Sequence, residues 1–342
     1  MSPSERRDSP QSIFPTLSLQ ERAIGAGMLL GKTTVTNYRV APDGSRIAQQ
    51  TLNEHDLQSL AHEYRKDPFA RLAYARNNVL AIMEDTRQPL ADRKERAKRY
   101  TDAFLNLQVR LDRMSYPGTD QVQNGVPEYI PDGLSDMGSE EAIDPRLRHR
   151  EKIRIDKTRI FAKYRLLFHE IFTEEVPRGI TSEQWKKYVT QKVAREVFSN
   201  MPYNYGGAPV MQNRSVRVDD IIDQKLSVCR HHALVTQVLL QGFGITGRLL
   251  KSDVNFSEQM EPHANNLVRI EGKWHLLDST APERSPDGNY TGIFLKPIPE
   301  KHIDLNKHIY TWKIPEANGR MRVYQSRSNM FYRIRDNVQN PT

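Results

Sequence analysis

Cys229 is the only cysteine in the chain, and two residues downstream, His263 and Asp278, could join it in chemistry. A thiol attacks carbonyl carbon well only as the thiolate, so a cysteine nucleophile needs a base within reach and an electropositive setting. Cys229 stands where a polar stretch gives way to the apolar run Ala233-Leu-Val-Thr-Gln-Val-Leu-Leu240, a pattern that predicts a helix starting at the cysteine. The unpaired N–H groups of such a helix start favour an anion and can hold the oxyanion of an acyl-transfer intermediate. His263, in Pro262-His-Ala-Asn-Asn-Leu-Val268, is expected to open a strand, and Asp278, in Trp274-His-Leu-Leu-Asp-Ser-Thr280, to close the next. Glu271-Gly272 between them reads as a hairpin turn, which sets the start of one strand beside the end of the other. His263 and Asp278 are therefore expected as neighbours, a base and the carboxylate that orients it. Singly, each residue has an ordinary reading: a buried cysteine as a small core residue, an aspartate as a turn former, a histidine as a surface group. Together, each at the end of an element, they point to acyl transfer.

The rest of the chain must position these three. Asp67-Pro68 is a good helix start, followed by Phe69, Leu72, Ala73, Leu80 and Met83 near one face. A second helix carries Ala97, Tyr100, Phe104, Leu107, Leu111 and Met114 at alternating steps of three and four. Between Tyr116 and Pro145 the pattern gives way to Pro, Gly and acidic residues, as in Tyr116-Pro-Gly, which reads as a boundary. Asp144-Pro145 is then expected to start a long helix on which Ile153, Ile160, Tyr164, Leu167 and Ile171 share a face. Trp185, Val189, Val193 and Val197 form the stripe of the next. After the cysteine helix, which Gly242-Phe-Gly244 ends, strands are expected over 246–254, 266–270, 273–278, 309–314 and 321–324.

The segment from Leu226 to Pro282 resembles the core of the transglutaminase-like superfamily, which has a cysteine at the start of a central helix and a histidine and an aspartate on adjacent strands. The matching stretches are Ser227-Val-Cys-Arg-His-His-Ala-Leu234, Gly244-Ile-Thr-Gly-Arg-Leu-Leu250, His263-Ala264 and Gly272-Lys-Trp-His-Leu-Leu-Asp-Ser-Thr-Ala-Pro282. The resemblance assigns the nucleophile to Cys229, the base to His263 and the orienting carboxylate to Asp278. It implies an α+β fold in which the Cys-bearing helix packs on an antiparallel sheet. Two positions depart from the family pattern. Ser227 stands where members often have Gly, and Asn265 where an aromatic residue often follows the His-Ala pair, which alters what covers the base. The organisation expected is a weakly ordered arm over 1–50, a helical region over 51–115, a linker over 116–145 and the transglutaminase-like catalytic domain over 146–335.

Other sites read more weakly. Cys229, His231, His232, His263 and His275 do not have the spacing of zinc ligands, since the adjacent His231 and His232 point to different sides of a helix and no second cysteine exists. One of those two histidines is expected at the mouth of the site, the other packed or facing solvent. Ala26-Gly-Met-Leu-Leu-Gly-Lys-Thr33 approaches a phosphate-binding loop but has Ala26 where glycine is required, and Val35–Val40 after it looks extended rather than helical. No cofactor and no metal are expected. Gln224 is expected to face solvent rather than assist an oxyanion hole, and Trp274 to pack under the hairpin.

The chain has 342 residues, 37% hydrophobic and 27% charged, as in folded soluble proteins. It holds no apolar run of about 18 residues, so no membrane span is expected. The polar N-terminus lacks an export signal, which points to the cytoplasm or to delivery into a host cell by a leaderless route, as in bacterial effectors of the superfamily. A net charge of +8 suits an acidic partner, whether nucleic acid, anionic lipid or an acidic protein substrate. Nucleic acid is not expected, because the basic residues are interspersed with acidic ones and no aromatic recognition motif accompanies them. The expected activity is thiolate attack on an amide of a protein substrate. Water then gives a peptidase or a glutamine deamidase, and an amine gives a transglutaminase. The alternative is a transglutaminase-like fold, catalytically idle, that serves as a protein-binding module.

Overall fold

The computed structural model describes residues 35–40, 46–52, 68–115, 133–138, 150–174, 181–204, 215–245, 247–256, 259–287, 289–305, 307–327 and 332–335. Strands β1 (Val35–Val40) and β2 (Arg46–Leu52) form a hairpin inside and just beyond the segment expected as a weakly ordered arm. The near-match to a phosphate loop before it lies outside the described residues. Helices α1 (Pro68–Glu84) and α2 (Leu90–Ser115) follow, then strands β3 (Gly133–Gly138) and β4 (Arg150–Ile155). The buried side of α1 includes Ala75 and Val79, with Met83 of the expected stripe packed against it. Strand β3 falls within the stretch read as a linker and pairs with β4.

The long helix expected from Asp144 is corrected. Residues 150–155 are a strand, and the helices begin only at α3 (Lys157–Lys163) and α4 (Arg165–Thr173). Ile153 sits seven positions before Ile160, a helical interval, but Arg-Glu-Lys-Ile-Arg-Ile over β4 also alternates polar with apolar, and Ile153 and Ile155 are both buried. What decides between the two periods is Asp156, whose extended backbone and side-chain bond from the Arg159 N–H cap the new helix.

Helix α5 (Ser182–Asn200) forms as expected. Trp185, Val189, Val193 and Val197 are buried along one side. Its start is a capping box: the Thr181 hydroxyl accepts from the Gln184 N–H at 3.1 Å, and the Gln184 side chain accepts from the Thr181 N–H at 2.8 Å. Thr181→Ala should therefore cost about 1 kcal/mol of stability, readable as a lower midpoint in urea with an unchanged slope. An unchanged midpoint would show that the cap contributes nothing.

Strand β5 (Ser215–Arg217) and helix α6 (Val218–Gln224) lead to α7 (Cys229–Gly242), the apolar helix expected from the sequence. Then come β6 (Gly247–Val254), β7 (Glu261–Ile270), β8 (Lys273–Arg284), β9 (Tyr290–Pro297), β10 (Thr311–Pro315), β11 (Met321–Ser326) and β12 (Tyr332–Arg335). Six of these make a curled antiparallel sheet in the order β10-β11-β6-β7-β8-β9. A second sheet has the order β12-β3-β4-β5. The fold is α+β, with α7 at its centre and packed on β6, β7 and β8.

Strand alternation sends Ala264 and Val268 of β7 and Leu277 of β8 toward the helices, where they join one core with residues of α1, α2, α4, α5 and α7. Leu267 and Leu276 face the other way, into a second core inside the curl of the sheet with Trp274, Phe294, Trp312 and Tyr324. The helical region before residue 116 thus shares the main core. At the far end of α7 the packing is close: a Cβ on Gly242 would lie 2.9 Å from Phe168 Cζ and 3.0 Å from Phe161 Cζ.

Candidate active site

Cys229 is the first residue of α7, so its backbone N–H lies outside the helical ladder. The segment leading to it is pinned. The Ser227 hydroxyl donates to the Pro202 carbonyl at 2.9 Å, and the Asn204 N–H donates to the Ser227 carbonyl at 2.8 Å. One turn into the helix, His231 Nδ1 accepts from the Val228 N–H at 3.1 Å, and His232 Nε2 lies 3.2 Å from the Ser227 hydroxyl. Both histidines are fully buried, so one is packed as expected, and the expectation that the other would border the mouth is corrected. Burial, assisted by the neighbouring His231, lowers His232 to about 4, so it is neutral near pH 7.

Glu271 and Gly272 both take positive φ, 53° and 69°, the geometry of a tight primed turn joining β7 and β8. The register runs from Ile270↔Lys273 to Asn266↔Leu277, and carried further it sets His263 level with Thr280. Asp278 is reached on the diagonal: His263 Nε2 and Asp278 Oδ2 are 2.8 Å apart, both buried. Asp278 does not close its strand as expected. It stands at the bulge between Asp278 and Pro282, past which β8 continues to Arg284. The bulge accommodates a proline, which cannot donate to a ladder.

Cys229 and His263 interact, and each shifts the protonation of the other. With Nε2 taken by Asp278, Nδ1 is the nitrogen left for the thiol. Burial works against a Cys229 thiolate, but the bond and charge of His263, the charge of Arg230 and the Ala264 N–H outweigh it and bring the thiol below its ordinary pKa. Burial also works against the imidazolium, yet the charge and hydrogen bond of Asp278, with those of Cys229, push His263 up to about 10. Asp278 pays the same burial cost and is held well below the usual carboxylate range by His263, the Thr280 hydroxyl and Arg322. The arrangement favours a thiolate–imidazolium pair backed by an ionised carboxylate.

Several contributors were not anticipated. Thr280 clamps Asp278 Oδ1 through its N–H at 3.0 Å and its hydroxyl at 2.7 Å; an Asp followed two residues later by Thr is a local pattern that could have been read. Phe256 lies edge-on to His263 at 4.9 Å, so the base is covered from the end of β6 rather than from position 265. Asn265 is instead fully buried. Arg322 lies over the rings of Phe256 and Phe294 at 5.3 and 5.0 Å and pairs with Glu316. Tyr324 donates to Asp278 Oδ2 at 3.1 Å. No sequence signal links β11 to β8. Gln224 is exposed at the end of α6, His275 bonds the Lys273 carbonyl region at 3.3 Å, and Trp274 packs inside the curl under Arg248.

A central helix that begins at a cysteine and packs on an antiparallel sheet carrying a His–Asp pair defines a class, and comparison agrees with it. Residues 175–310 match the family model described as a transglutaminase-like domain, and the chain carries a domain of that superfamily. The matched span includes Cys229, His263 and Asp278. No curated protein matches the chain. Among the described residues, no helix is long and apolar enough to cross a membrane.

Proposed function

We propose that this chain is a cysteine-dependent acyl-transfer enzyme acting on amide bonds of protein substrates, with Cys229 as nucleophile, His263 as base and then acid, and Asp278 as the group that orients His263. The observation that carries this reading is one buried imidazole held by the Asp278 carboxylate at 2.8 Å and interacting with the Cys229 thiol at the start of α7, which it brings below its ordinary pKa. The thiolate attacks the amide carbonyl, forming the S–C bond, and the oxyanion is received by the backbone N–H of Cys229. His263 gives its proton to the departing nitrogen as the C–N bond breaks, leaving a thioester and a free amine. Water or an amine then gives up a proton to His263 and displaces the thiolate. Arg230 and the overall positive charge favour an acidic protein surface around the amide.

Iodoacetamide tests the reading without a known substrate. Cys229 should label at pH 7 on the order of tenfold faster than a free thiol, of which only a few per cent is ionised there. Because the Cys229 pKa is lowered and that of His263 raised, fast labelling should extend to lower pH than for a free thiol. His263→Ala should abolish that advantage. Labelling of wild-type protein no faster than a free thiol would leave the fold as a binding module. The acceptor is read from the intact mass of candidate protein substrates: a gain of about one dalton marks deamidation, fragments mark proteolysis and adducts mark transamidation.

A further inference from the structure

Asp278 has four donors, and they divide unequally in purpose. Thr280 supplies two, both to Oδ1, which already fixes the plane and position of the carboxylate. The other two meet at Oδ2: His263 Nε2 at 2.8 Å and the Tyr324 hydroxyl at 3.1 Å. Tyr324 is fully buried on β11, which joins the sheet beside β6 through the pair Tyr324↔Val254. It lies beyond residues 175–310, the span that matches the family model.

Two donors on one carboxylate oxygen share its electron density, so each bond is weaker than it would be alone. That matters for an acid catalyst. An imidazolium gripped by a buried carboxylate and a thiolate gives up its proton reluctantly, yet amide cleavage requires that proton at the leaving nitrogen. We propose that Tyr324 is a positioning residue of this site, which donates to the oxygen that holds His263 and so limits the grip of Asp278 on the base. Burial and the Asp278 charge keep the phenol protonated, so it serves as a donor throughout. The other groups facing the pair are Cys229, Arg230 and His232 on α7, Thr280 on β8, and Arg322 with its partner Glu316. None of them donates to Oδ2 at hydrogen-bond distance among the described residues.

This rests on the acyl-transfer reading of the Cys229 site, and its test is built to fail separately. In Cys229→Ala protein the thiolate is gone and His263 answers chiefly to Asp278, with the Thr280 hydroxyl 3.4 Å from Nε2 unchanged in every variant. Its titration is followed by NMR of labelled histidines, with His263 assigned by its loss in a Cys229→Ala/His263→Gln protein. Adding Tyr324→Phe, which keeps the ring and its packing, should raise the His263 pKa by up to about one pH unit, the worth of one hydrogen bond. Fluorotyrosine at position 324, a stronger donor that preserves the fold, should lower it. A His263 value that is unchanged or moves the opposite way in either protein would overturn the assignment, whatever the outcome of thiol labelling on wild-type protein.

Discussion

Asp278→Asn should slow iodoacetamide labelling of Cys229 at neutral pH on the order of a hundredfold while leaving the protein folded. The carboxylate does two things that an amide cannot. Its charge is the main influence that raises His263 against the cost of burial, and through His263 it sustains the Cys229 thiolate. An amide whose Nδ2 turned toward His263 Nε2 would also place the ring proton on Nδ1, facing the sulfur, where the base could no longer accept from the thiol. The thiol would then lose the largest influences that lower its pKa, and desolvation would push it back up. Stability should become less sensitive to pH as well. His263 binds its proton more tightly in the folded protein, so its contribution is fully present below its unfolded pKa and is lost as pH rises toward about 10. Asp278 has the opposite sign: its contribution is present above the ordinary carboxylate pKa and is lost as pH falls through its depressed folded value. The asparagine variant should lack both limbs in urea titrations run across pH. Labelling at the wild-type rate would mean that Asp278 does not feed the thiolate.

Where one period dominated, the elements could be read from the chain. The i+4 stripe of α5, the all-round apolar α7 and the Glu271-Gly272 turn each have a single low-energy interpretation, and the structure adopts it. Ile153 shows the limit. It satisfies both a helical and a strand interval, and the cap at Asp156 resolves the conflict. The hairpin brought His263 and Asp278 together, but the two meet diagonally because the register that sets Asn266 opposite Leu277 brings His263 level with Thr280, a detail the turn alone does not announce. Cys229 meets His263 because the start of α7 abuts the start of β7, where the Ala264 N–H reaches the sulfur. Tyr324, Arg322 and Phe256 could not be read at all. Their roles depend on β11 lying beside β6, an order of strands that no local pattern specifies. The helical region over 68–115 presented apolar stripes without naming their partner, and the structure supplies it: Phe104 packs edge-on to Phe172 at 5.7 Å, in the core that also buries α7.

The largest loss of stability is expected at Phe168, not at the active site. Phe168 is fully buried on α4 and stacks on Phe243 with ring centroids 4.2 Å apart and planes inclined by 17°. Phe161 and Phe172 meet it edge-on at 5.3 and 6.3 Å. Phe243 is the C-cap of α7, so this cluster ties the end of the central helix to the helical layer. Phe168→Ala removes the ring that closes against Gly242, and the surrounding rings belong to three separate elements that cannot all move in to fill the space. The expected cost is about 3–5 kcal/mol, a large part of a typical domain's total of about 5–15. Phe168→Leu should cost less than half as much, because most of the volume is kept. Urea denaturation measures both, and a Phe168→Ala cost below about 1 kcal/mol would show that the site collapses freely. In Phe168→Leu protein, Cys229 should still label at the wild-type rate, since its thiolate depends on His263 and Ala264 at the opposite end of α7. A parallel loss of labelling would mean that the helix transmits disorder from its C-terminus to the nucleophile, and that the aromatic cluster is part of what positions Cys229.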